Sequence, residues 1–180
     1  MPRENLDVYC SKAVDRGATL SKPFPPLNIV TAPWVHLKCQ FGCPHFGKNY
    51  CCPPYTPIWE QTRKIIDSYK KVILLHIEWT KGEQVVQKIK KFSEIMVNLE
   101  NEMALDGYYK AFCMLPTHCM LCEECNLVRN LPCTSPQKVR PSMTSCGIDV
   151  YQTARESGFD IHPLRAADEA GNIFGLILVE

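Results

Sequence analysis

The sequence predicts a single α/β or α+β domain over residues 1–180: a mixed sheet with flanking helices that carries two cysteine-rich loops at one sheet edge. Three observations point there. Residues 72–78 form a continuous apolar run of strand length, a long amphipathic helical repeat follows, and two cysteine clusters each come after an expected strand. A length of 180 residues suits one domain built on one core.

Taken in order, residues 5–16 read as a short helix stopped by Gly17. Residues 21–33 contain four prolines and read as a meandering surface segment. Residues 34–38 alternate weakly like a strand and lead into Cys39. Thr56-Pro57 is a helix-start signal, with Ile58, Ile65, Ile66 and Tyr69 as its buried stripe and Lys70-Lys71 at its carboxyl end, where positive charge suits the helix dipole. The run 72–78 has the character of a central strand buried on both faces. After Lys81-Gly82, the residues Val85, Ile89, Phe92, Met96, Leu99 and Met103 recur at steps of three and four, one long helix ending at Gly107. Residues 108–115 are the next strand candidate. Residues 141–146 lead to a helix through about Glu156, and a turn over 168–172 precedes a last strand at 173–179. A strand, a crossover helix and a second strand in one sheet tend to be parallel and right-handed, which would bring the loops after successive strands to the same edge. Two metal centres at that edge would lie within electron-transfer reach.

Charge narrows the function. Twenty Lys and Arg against 19 acids give a net charge of +1 with no long basic run, which argues against a nucleic-acid partner. No apolar stretch approaches the roughly 18 residues that span a bilayer. The first thirty residues lack an apolar signal region, so the expected location is cytoplasmic.

Eleven cysteines do not fit an ordinary globule. The odd count, the absence of an export signal and a chain long enough not to need staples favour metal ligation over disulfides. The second loop (118–136) carries Cys119, Cys122 and Cys125 at successive C-x2-C spacings and then Cys133. Such a run wraps three thiolates around one corner of a cube, as in bacterial ferredoxins, whereas tetrahedral zinc has no natural place for the third cysteine. Iron–sulfur is therefore favoured over zinc. Seven residues separate Cys125 from Cys133, so Cys133 serves this cluster or a neighbouring one. The first loop (39–54) offers Cys39, Cys43 and Cys52, with Gly42 and Gly47 allowing tight turns. Adjacent Cys51 and Cys52 point different ways in an extended chain, which leaves Cys51 as an extra ligand or a packed thiol. Cys10 and Cys113 read as small core hydrophobes, His76 as a satisfied core histidine, and His36 and His162 as surface or packing residues. Arg140, Ser142 and Asp149 are candidates either for orienting the second loop or for helix capping.

The segment 35–57, from Lys38-Cys39 to Cys52-Pro53-Pro54-Tyr55-Thr56-Pro57, resembles the prokaryotic DUF2284 family of predicted metal-binding proteins of unknown function. So do the three spaced cysteines of the second loop, Cys133-x2-Pro136, Arg140-Pro141-Ser142-Met143 and Gly147-Ile148-Asp149-Val150. The resemblance implies a cysteine-bound metal centre, iron–sulfur, in anaerobic archaea and bacteria, with Cys39, Cys43, Cys52, Cys119, Cys122, Cys125 and Cys133 at ligand positions. It implies no reaction. Cys51 and Cys146 fall where other residues can stand.

Seven ligands leave two four-iron clusters one short. Either Cys51, Cys10, Cys146, His45 or His118 completes the set, or one iron stays open. The expectation is a protein carrying one or two [4Fe-4S] clusters that transfers electrons to, or assists, a partner redox enzyme. The alternatives are an enzyme using an open iron at Cys39, Cys43 and Cys52 as a Lewis acid on a small, sulfur-containing substrate, and a zinc-binding assembly module.

Overall fold

The computed structural model describes residues 5–81, 83–166 and 169–180. The expected break at Gly82 and the start of the turn at Asp168 lie outside them. Among the described residues, five α-helices flank one four-stranded sheet. The strands are β1 (Leu20–Phe24), β2 (Val72–Trp79), β3 (Phe112–Met114) and β4 (Gly171–Leu178), in the spatial order β1-β2-β4-β3. Every neighbouring pair is antiparallel.

That topology corrects the expected crossover between adjacent parallel strands. The run 72–78 and the strand near 112 do point the same way, but β4 lies between them and pairs with both. Val72 through Ile77 are all buried because both faces of β2 are covered. On one face Ile73, Leu75 and Ile77 pack with helices α1 (Asp7–Asp15) and α4 (Val85–Leu105). On the other, Val72 and Leu74 pack with Ile66 of α3 (Trp59–Asp67), Ala154 of α5 (Val150–Glu156) and the segment carrying Met143, Cys146 and Ile148. The anticipated stripe of α4 is the core face: Phe92, Met96, Leu99 and Met103 are buried.

Four local expectations change. Residues 34–38 are not a strand but lie in helix α2 (Pro33–Gly42), where Pro33 occupies the first turn, whose amides need no intrahelical acceptor. The proline-rich stretch contributes β1; Pro23 is tolerated there because an edge strand has a row of amides free of ladder bonds. Helix α3 begins at Trp59, with the Gln61 side chain accepting from the Ile58 amide at 3.2 Å. Its buried residues are Thr62 and Ile66, while Ile58 and Ile65 are exposed. The third strand is only Phe112–Met114, since Tyr108 still closes the end of α4 by donating its amide to Met103 O.

Candidate metal centre

Both cysteine loops are anchored to one turn, residues 142–148. The second loop leaves the sheet at Leu115 and returns beside it: the Leu115 amide donates to Pro141 O at 2.8 Å, and the Met143 amide to Leu115 O at 2.9 Å. The first loop is held at both ends by Ser145 O. His36 of α2 lies 3.1 Å from it through Nε2, and the Thr56 hydroxyl donates to it at 2.6 Å. Thr56 is thus not a helix cap but the clasp that ends the loop. Gly147 permits the close approach, because its φ is +76° and a Cβ there would stand 2.8 Å from Cβ of Trp59. The first loop therefore follows a helix rather than a strand, and shared attachment to this turn, not a parallel sheet, brings the loops together.

Across the gap the loops touch directly. Asn49 is buried; its Oδ1 accepts from the Cys51 amide at 2.9 Å, and its Nδ2 donates to Cys119 O at 3.3 Å. The Tyr50 hydroxyl donates to Leu131 O at 2.8 Å, and His45 stacks on His118 with ring centroids 3.7 Å apart. No spacing rule singles out Asn49. Its signal is the habit of asparagine to bond its own backbone two residues on, here with a cysteine at that position.

The sulfurs stand in distinct environments. Cys51 and Cys52 are 4% and 6% exposed, whereas Cys43 and Cys122 are exposed. A hydrogen bond between the Cys51 and Cys119 thiols, with burial adding to it at Cys51, raises the Cys51 thiol and lowers Cys119. Cys133 also lies close enough to act on Cys51. The Cys52 thiol is pushed up to about 11, first by burial and then by Cys43, Cys39, Cys119 and Cys125. Burial and Cys43 raise Cys39, whose sulfur lies 3.9 Å from Thr144 O. Cys122 Sγ lies 3.5 Å from the Thr134 hydroxyl, and the Ser135 amide donates to Cys133 Sγ at 3.4 Å.

The remaining candidates sort clearly. Cys10, Cys113 and Cys146 are buried in the apolar clusters. His76 pairs with Asn172 Oδ1 at 2.8 Å inside the sheet. Asp149 caps α5 by accepting the Gln152 amide at 3.0 Å. Arg140 instead fastens the return of the second loop: it donates to Gln137 O and Val139 O and forms a buried ion pair with Glu100 of α4 at 2.5 Å. Glu100 also accepts the Cys113 amide at 2.6 Å.

Cys119, Cys122, Cys125 and Cys133 line a cleft of about 590 Å³ that His45, Lys48 and Asn49 close from the first loop. Among the described residues, no three His, Cys, Asp or Glu groups converge at the distances of a single bound ion. The donor set nonetheless fits a metal group. Burial and neighbouring thiols raise Cys39, Cys51 and Cys52 toward the neutral form, and a cationic metal core would reverse that balance by stabilising their thiolates.

An α+β platform that holds two thiol-rich loops against one another is the class of protein that this fold and site define. The chain belongs to the DUF2284 family, described as predicted metal-binding proteins, whose model matches residues 22–179. No curated protein and no solved structure matches it. No helix among the described residues is long and apolar enough to cross a membrane.

Proposed function

We propose that the protein binds [4Fe-4S] clusters through its two cysteine loops and passes electrons to a partner redox enzyme. One observation carries the reading: Asn49 ties the backbones of the two loops, seventy residues apart, and so sets the Cys51 thiol of one beside the Cys119 thiol of the other. Cys39, Cys43 and Cys52 in one loop and Cys119, Cys122, Cys125 and Cys133 in the other are the proposed ligands. Bound there, the clusters supply one-electron redox chemistry. The chain's own groups do the rest. Thr134 and Ser135 donate toward sulfur, Asn49 fixes the separation of the loops, and the exposed positions of Cys43 and Cys122 favour approach of a partner near the sulfurs.

The open-iron alternative arose from a shortage of one ligand. Cys51, buried among the other sulfurs, supplies an eighth thiol, and this favours the carrier over the Lewis-acid enzyme. Purification without oxygen, followed by iron, sulfide and zinc analysis, tests the proposal. Brown protein with about four or eight irons and matching sulfide, bleached reversibly by dithionite, is expected. Colourless protein containing zinc and no sulfide would instead establish the assembly module.

A further inference from the structure

We propose that the groove between α4 and the returning arm of the second loop binds a small organic monoanion, a carboxylate that carries an apolar chain. The groove holds about 320 Å³, within the roughly 300–1,000 Å³ of small-ligand sites. It adjoins the cysteine cleft along His118, Cys119 and Met120, which line both, but Cys122, Cys125 and Cys133 do not reach it. The proposal is therefore independent of the iron–sulfur reading.

The walls of the groove are fixed by bonds of the chain itself. Val97 of α4 and Leu115, just past β3, are buried and form an apolar floor, which Val139 and Leu121 extend. Leu115 is pinned to the returning arm by the bonds to Pro141 and Met143 already described. The amides of Lys138 and Val139 both donate to Ser135 O, at 3.0 and 3.2 Å, which sets the turn carrying Lys138. The Arg140–Glu100 ion pair then ties that arm to α4, so the two sides of the groove are held at a set separation. Leu121 is 47% exposed at this place, apolar surface that the chain of an occupant would cover.

Charge chooses the occupant. Arg140 is neutralised by Glu100, which leaves Lys90 on α4 and Lys138 on the opposite arm, neither in an ion pair among the described residues. Against them stands one carboxylate, Glu94, at the outer edge: it also lines a groove further round α4 with Arg16 and Lys91. Asn98 and Asn101 face the groove from the same helix and add amide donors. A surplus of one positive charge above an apolar floor suits a single carboxylate with an apolar tail. A cation of the same shape would meet two ammonium groups, and an anion without a tail would leave the floor bare.

Calorimetric titration of octanoate into the full chain, purified without oxygen, tests the site, with acetate and octylamine as the tailless and charge-reversed probes. A single saturable site for octanoate is expected, with acetate and octylamine binding about tenfold more weakly or not at all. Reversing both exposed lysines, Lys90→Glu with Lys138→Glu, should weaken octanoate about tenfold. The same change of net charge at two exposed lysines elsewhere, Lys64→Glu with Lys110→Glu, should leave its affinity unaltered. A diazirine analogue of octanoate, photolysed on the protein and mapped by peptide mass spectrometry, should label residues 90–101, 115–121 or 138–140. Absence of saturable binding, equal binding of octylamine, equal weakening by both lysine pairs, or label confined to other segments overturns the proposal. Because the titration reads binding whatever the iron content, colourless protein that binds octanoate removes only the iron–sulfur reading, and brown protein that does not bind it removes only this one.

Discussion

Cys146 and Cys52 carry the same thiol in different company, and the difference has a measurable consequence. Cys146 is sealed against Met143, Ile148 and the β2–β4 face of the sheet, and burial pushes its thiol up from 9.0 to about 12. A thiol whose folded pKa is raised stabilises the fold fully below the unfolded value, and that contribution disappears as pH climbs through the folded one. The metal-free protein should therefore lose stability between pH 9.0 and about 12. Cys146→Ala should flatten the fall, at a cost of about 1 kcal/mol at neutral pH. Urea midpoints measured across that range check this; identical slopes for the two proteins would count against it. Company, not burial alone, separates the three inert thiols from the loop thiols: Cys10, Cys113 and Cys146 lie in apolar clusters, whereas the equally buried Cys51 and Cys52 lie among other sulfurs. Sequence spacing had already set Cys10 and Cys113 apart, because both sit alone within regular elements.

Among the elements, α4 joins core to site. Glu100 lies on its buried face between Met96 and Met103, holding Arg140 and the Cys113 amide. A carboxylate in the middle of an apolar stripe was its sequence signal, legible only once a partner forty residues on was in view. Glu100→Ala would take the counter-ion from the largely buried Arg140 guanidinium and leave the Cys113 amide unpaired, and should cost about 3 kcal/mol in chemical denaturation. A change below 1 kcal/mol would show the pair to be dispensable. Periodicity revealed α4 and β2 because each buries a regular pattern. Helix α2 was hidden because Val35 is its only buried residue: Trp34, Leu37 and Phe41 fall at steps of three and four, but they are exposed, and over residues 34–38 alone the pattern also fits a strand. β1 was hidden because its one proline, Pro23, and the prolines just beyond it read as loop until an edge position is known.

For the molecule as a whole, the sequence revealed the sulfur loops and the helix-flanked sheet, but not how the strands pair. Local hydrophobicity does not distinguish a β4 placed at an edge from one inserted between β2 and β3, because both positions bury the same apolar run. Nor did it reveal the turn 142–148, whose hold on both loops depends on backbone carbonyls that every residue possesses. This division of labour predicts the response to metal removal. Chelation should speed amide hydrogen exchange in residues 43–55 and 119–135 while β2 and β4 keep their protection, because the ladder between those strands and the cores on both faces of the sheet do not depend on metal. Uniform loss of protection would show that the cofactor holds up the entire fold.

The position of β4 also governs the order of events at the ribosome. Neither β2 nor β3 finds its shared neighbour until residues 171–178 have been synthesised, so all eight loop thiols emerge from the exit tunnel before the scaffold that aligns them exists. A metal bound by both loops in their final arrangement therefore waits until β4 has joined the sheet, and until then the nascent cysteines stand open to oxidants and stray metals.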